Sequence, residues 1–150
     1  MSDNWITIIP RDPYFIPTPS AIAGAEAYLE KIILTADEMT SEISDGVRFR
    51  DCGGNFQNIH CPVCSAEIST SWWSKKMSED WDRKFALRPI TTPCSHAVLS
   101  LNELRYDWDQ GFSCFALDIM NPDTGPLDPS QIARIEQLLG CPLKIIYRHI

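Results

Sequence analysis

The alternation of apolar and polar positions divides this chain into two amphipathic stretches on either side of a cysteine- and tryptophan-bearing middle. Trp5-Ile6-Thr7-Ile8-Ile9 is a short β-rich run ended by Pro10. A loop carrying Pro13, Pro17 and Pro19 follows, and Ser20 is placed to cap a helix running to about Leu34. Ile22, Ala25, Tyr28, Leu29, Ile32 and Ile33 recur at helical spacing and give that helix one apolar face. Residues 38–49 alternate as a strand interrupted by a turn at Asp45-Gly46, which predicts a hairpin. The last forty or so residues repeat the order. Phe112 to Met120 is a strand with Phe115, Leu117 and Ile119 on one face. A helix starts near Asp128 or Ser130, carries Ile132, Ile135, Leu138 and Leu139, and stops at Gly140. Leu143 to His149 forms a terminal strand.

Two β-α-β units predict an α+β, ferredoxin-like sandwich: residues 1–51, then a zinc-ribbon-like insertion over 52–111, then 112–150, in a single domain. The runs 5–9 and 112–120 are expected in one sheet. Each helix has one apolar stripe to bury on that sheet, so both are expected on the same face.

The middle opens with a turn at Cys52-Gly53-Gly54 and an extended approach to Cys61-Pro62-Val63-Cys64. Ser69-Thr70-Ser71 is placed to cap a helix from Trp72 to about Phe85, with Trp73, Met77, Trp81 and Phe85 four apart. Adjacent Trp72 and Trp73 diverge by about 100° on a helix, so Trp72 is a candidate contact residue. After Pro89 the chain is extended and reaches Thr92-Pro93-Cys94-Ser95-His96.

Thiolate and imidazole are the donors a tetrahedral zinc ion takes. Cys61, Cys64, Cys94 and His96 make a split ligand set, with His60 as the reserve fourth donor. Four protein ligands would make the site structural. With His96 turned away, three thiolates and a water would remain, and three thiolates make the metal a poor Lewis acid. The same Cys-x-x-Cys spacing occurs in thiol oxidoreductases, where it opens a helix after a buried strand; here Ser65-Ala66-Glu67-Ile68-Ser69-Thr70 is too β-rich for that. A zinc deaminase is excluded, because Glu67 lies three past Cys64 and Pro93-Cys94 lacks its second cysteine at the required spacing. No Ser-His-Asp order, phosphate loop or paired-carboxylate pattern is detectable.

Charge adds a partner class. The net charge is −7, and the excess of acid lies mostly in residues 1–51. That disfavours a nucleic-acid backbone and suits a basic protein partner. Asp37, Glu38, Glu42 and Asp45, around the expected turn, are the candidate contact residues. The basic cluster Lys75, Lys76, Arg83 and Lys84 is interleaved with Glu79, Asp80 and Asp82 and reads as a solvated helix face. No apolar run approaches the ~18 residues that span a bilayer, and the N-terminus lacks the basic start of a signal peptide. A cytoplasmic protein is expected, with clustered cysteines used for metal rather than disulfides.

Cys61-Pro62-Val63-Cys64, then Trp72-Trp73, Pro93-Cys94, Leu101-Asn102-Glu103-Leu104-Arg105-Tyr106-Asp107-Trp108 and Gly111-Phe112 together resemble a widespread family of small uncharacterised bacterial proteins. The resemblance runs over nearly the whole chain, to Leu139-Gly140-Cys141-Pro142-Leu143. Members of that family carry Pro-Cys-Cys at the second half-site, where this chain has Cys94, then Ser95 and His96. The resemblance implies a metal centre and no particular reaction. The expectation is therefore a non-catalytic, zinc-stabilised protein-binding module. Immunity proteins that neutralise toxins are its analogue in size and charge. The alternative is an enzyme, either a thiol oxidoreductase or a zinc-dependent hydrolase at Cys61 and Cys64.

Overall fold

The computed structural model describes residues 2–150. In chain order the elements are β1 (Asn4–Pro10), α1 (Pro19–Ile32), β2 (Glu38–Arg50), β3 (Ile59–His60), β4 (Glu67–Ile68), α2 (Thr70–Asp80), β5 (Ile90–Thr91), β6 (Val98–Leu99), β7 (Arg105–Tyr106), β8 (Gly111–Met120), α3 (Pro129–Leu139) and β9 (Leu143–His149). The fold is α+β. Its main sheet has the order β2-β8-β1-β9, and each neighbouring pair is antiparallel. Ile6 sits opposite Ile119 on one side and Tyr147 on the other, which fixes the register across the centre.

Strand alternation separates the two faces of this sheet. Ile6, Ile8, Phe115, Leu117, Ile119, Leu143 and Ile145 point to one face, where they share a core with Ile22, Ala25 and Leu29 of α1 and Ile135 and Leu139 of α3. Both helices therefore cover the same face. The helix start is set by Thr18, not Ser20: its hydroxyl accepts the Ala21 N–H at 3.2 Å, and Pro19 takes the first helical position, where its missing N–H costs nothing. Asp128 and Gln131 form a capping box on α3, and Gly140 ends that helix at φ +82°.

The opposite face carries the middle of the chain. Phe112 and Cys114 of β8 and Val47 of β2 are buried with Ile59, Ile68, Leu101, Leu104 and Tyr106. Burying side chains of this size contributes about 1.5–3 kcal/mol each. Trp73 stacks on Phe56 and donates its indole N–H to the Tyr106 hydroxyl at 3.1 Å; that hydroxyl in turn donates to the Leu101 carbonyl at 2.8 Å. The residues of 52–111 thus build a second core against the sheet.

Two expectations fail here. Residues 38–50 are one strand, not a hairpin; the Asp45-Gly46 signal marks a bulge between Ile43 and Arg48, with Gly46 at φ +114°. The bulge frees the Val47 carbonyl to accept the Phe85 N–H at 3.1 Å. Helix α2 ends at Asp80, before Trp81 and Phe85. The buried Asp80 carboxylate accepts the N–H groups of Leu87 and Arg88 at 2.7 and 2.9 Å, which pulls the chain back over the helix end.

The middle is also tied to the last strand. Gly54 N–H donates to the His149 carbonyl at 2.7 Å, and Gly53 holds φ +62° directly beneath it. A Cβ at Gly53 would overlap that carbonyl oxygen. Gly53→Ala is expected to destabilise the protein by about 2 kcal/mol or more, from the left-handed backbone plus the collision. Urea unfolding checks this; a midpoint equal to the parent's would show that the contact can relax without cost.

Candidate metal centre

Two short hairpins build the centre, and they are copies of one another. In the first, β3 leads into Cys61-Pro62-Val63-Cys64 and β4 returns, with Ile59 opposite Ile68 and His60 opposite Glu67. The Cys61 N–H donates to the Ala66 carbonyl at 2.9 Å, and Ser65 takes the left-handed conformation at φ +63°. In the second, β5 leads into Thr92-Pro93-Cys94-Ser95 and β6 returns, with Ile90 opposite Leu99 and Thr91 opposite Val98. The Thr92 N–H donates to the Ala97 carbonyl at 3.0 Å, and His96 is left-handed at φ +57°. Residue for residue, Cys61 matches Thr92, Pro62 matches Pro93, Cys64 matches Ser95, Ser65 matches His96 and Ala66 matches Ala97. Cys94 takes the place of Val63.

The two turns bring Cys61, Cys64 and Cys94 together, with all three sulfurs within 4.8 Å of one another. A tetrahedral ion bound at about 2.3 Å by each thiolate holds its sulfurs about 3.8 Å apart, so the group fits a thiophilic cation. Cys61 is sealed from solvent, while Cys64 and Cys94 lie at the surface. The Cys61 thiol is pulled down to about 6, first by the Ser95 hydroxyl and then by the Cys64 backbone N–H. Cys64 is pushed up: the Ala66 backbone pulls it down, but the Cys94 and Cys61 thiols and burial together outweigh that. The solvent-facing Cys64 and Cys94 thiols offer a metal an entry route to the group.

Neither histidine joins the group. His96 is exposed, its left-handed backbone is the turn-closing position that Ser65 occupies in the first hairpin, and the close group consists of the three cysteines alone. His60 faces β7, with Nδ1 3.1 Å from Asp107 Oδ1. What the ligand-spacing argument overlooked is Ser95: its hydroxyl lies 3.4 Å from Cys61 Sγ and 3.2 Å from Thr92 Oγ1. The remaining cysteines lie outside the centre. Cys52 lies 3.4 Å from the Gln110 side-chain oxygen, and burial raises the thiols of Cys52, Cys114 and Cys141.

The candidate contact residues are dispersed. Because β2 is continuous, Asp37, Glu38, Glu42 and Asp45 are strung along about 26 Å of edge strand rather than gathered around a turn. All four are exposed; Asp37 accepts the Asn121 side-chain N–H at 2.9 Å, and Glu42 pairs with Arg50 at 3.1 Å. Trp72 is half-buried against the second core, with the Lys76 ammonium 5.9 Å from its ring centroid. The exposed indoles are Trp81 and Trp108. Trp108 and Trp5 also line an open cleft of about 810 Å³ with Asp37, Asn55, Asn121 and Arg148. No sequence pattern marks this cleft, because its walls come from widely separated segments.

Comparison with protein-family models, curated proteins and solved structures finds no match. Among the described residues, no helix is long and apolar enough to cross a membrane.

The centre should behave as a clasp. Removal of bound metal by a chelator, or Cys94→Ala at the exposed ligand, is expected to speed amide hydrogen exchange across 59–68 and 90–99 by about tenfold or more. Strands β1, β8 and β9 should keep their protection. Exchange that does not change in the two hairpins would show that the cysteines hold nothing together.

Proposed function

We propose that the protein is a non-catalytic, zinc-stabilised binding module for a basic protein partner. Zinc suits three clustered thiolates, and the pair of short hairpins supports reading the centre as zinc-ribbon-like. The strand order β2-β8-β1-β9, with both helices on one face, supports reading the frame as a ferredoxin-like sandwich into which that centre is inserted. The Cys61-Pro62-Val63-Cys64 and Pro93-Cys94 motifs are what support a place among the small bacterial proteins the sequence resembles. The six free thiols suit a reducing, cytoplasmic setting.

The observation that carries the binding reading is strand β2. It is a sheet edge, it presents Glu38, Glu42 and Asp45 to solvent, and it leaves Ile43 53% exposed between them. An edge strand offers unpaired backbone groups, the acids select a basic partner, and the isoleucine supplies an apolar anchor. Toxin neutralisation is one use of such a surface, by analogy of size and charge.

A second reading is favoured by one observation, the closeness of the Cys61 and Cys64 sulfurs, which lie within 4.8 Å of each other. It would make Cys61 and Cys64 a thiol-disulfide pair. The placement of Cys61 at a hairpin tip, fully buried and away from any helix N-terminus, favours the metal role instead.

Capture of the partner from the native cell tests the binder. Its affinity should fall with added salt and drop about tenfold or more in the double variant Glu38→Lys, Glu42→Lys. An affinity indifferent to both salt and reversal rejects the acidic edge. Disulfide-reductase turnover that depends on Cys61 would replace the binder with the enzyme.

A further inference from the structure

We propose that the fourth metal donor is the Ser95 hydroxyl, so that the ion is held by three thiolates and one oxygen. This inference rests on the metal reading above and deepens it. The hairpin register is the first support. Ser95 occupies in the second hairpin the position that Cys64 occupies in the first, and Cys64 is a member of the cysteine group. The turn that brings Cys64 Sγ to the Cys61 sulfur brings the Ser95 hydroxyl to the same sulfur from the other hairpin.

Distance is the second support. An ion bound at about 2.3 Å to sulfur and about 2.0–2.2 Å to oxygen in a tetrahedron separates those two atoms by about 3.5 Å. Ser95 Oγ and Cys61 Sγ are 3.4 Å apart. That spacing suits a shared ion.

The neighbouring oxygen is already engaged. Thr92 matches Cys61 in the register, but its hydroxyl accepts the Ala97 N–H at 3.0 Å and lies 3.2 Å from Ser95 Oγ. Thr92 is buried, and it acts as a positioning residue that holds Ser95 in place. His96, one residue on, faces solvent from the turn-closing position.

The consequence is chemical. Three thiolates and a neutral hydroxyl leave a divalent centre with one negative charge, where four thiolates would leave two. The hydroxyl is the weakest of the four donors, so the coordination position at Ser95 is the one that exchanges.

Cobalt(II) replaces zinc as a visible probe, titrated into the intact chain and three variants. The parent should show the charge-transfer intensity of three thiolates. Ser95→Cys should raise that intensity by about one third, as a fourth sulfur joins. Ser95→Ala should keep three-thiolate intensity, shift the visible d–d envelope and weaken cobalt binding about tenfold. His96→Ala, at an exposed site, should change neither spectrum nor affinity. A spectrum and affinity unmoved by Ser95→Ala, or moved by His96→Ala, overturn the assignment. A parent chain that takes up no cobalt at all refutes the metal reading itself.

Discussion

Burial of strand β8 on both faces is the constraint on which the rest of the structure depends. Phe115, Leu117 and Ile119 face the two helices, while Phe112, Cys114 and Ala116 face the middle of the chain. Every residue from Gly111 to Leu117 is buried. A strand with both faces in apolar surroundings cannot shift its register by one residue without exchanging the contents of two cores. The flanking strands β1 and β2 take their register from it, and through Phe112 the middle segment takes its position. The sheet therefore acts as the partition between one core built with helices and another built with hairpins.

The second core is weaker in local structure than the first. Its strands β3, β4, β5, β6 and β7 are each two residues long. Pairs this short cannot stand alone in water. Both hairpins also place a non-glycine residue, Ser65 or His96, in the left-handed region, at about 1–2 kcal/mol each. Packing of Ile59, Ile68 and Leu99 offsets part of that cost at the hairpin bases. At the tips no apolar group takes over, because Cys64 and Cys94 are exposed. Ligation of a shared ion by Cys61, Cys64 and Cys94 would join the two tips directly, since it needs donors at the surface rather than an apolar core.

What could be read from the sequence follows from the same distinction. Strand β8 and helices α1 and α3 declare themselves by periodicity, because each buries one regular face. The Cys61-Cys64 pair and Cys94 are legible as a metal group because thiol spacing is itself the chemistry. Helix α2 was extended too far, since the four-residue spacing of Trp73, Met77, Trp81 and Phe85 does not report the Asp80 carboxylate that stops it. The correspondence of the two hairpins was hidden by reading for ligand types. Ile59 and Ile90, Pro62 and Pro93, and Ala66 and Ala97 carry it in the letters; the matching left-handed positions hold serine and histidine where glycine would have given the signal. His96 is the donor that the sequence offers to a set short of one ligand, and in the structure it stands exposed at the turn-closing position, outside the close group of sulfurs.

The edge strand β2 shows how the fold separates stability from contact. Bulges and charges on an edge are the common means of preventing sheets from adding to one another, and β2 has both. Protection alone does not account for Ile43, which stands 53% exposed between Glu42 and the bulge. Arg50 reaches back from the end of the same strand to Glu42 and to the Cys114 carbonyl, so the bulge is held in shape by hydrogen bonds. An edge meant only to repel would need neither an apolar side chain beside its acids nor a braced geometry. A braced edge with a mixed surface suits the proposed discrimination, with acids that would repel a second copy of the same strand and an isoleucine that a basic strand would cover. In the proposed reading the metal centre and the edge would have separate tasks, the first keeping the second core closed and the second presenting a surface that the core braces through the Phe85–Val47 hydrogen bond.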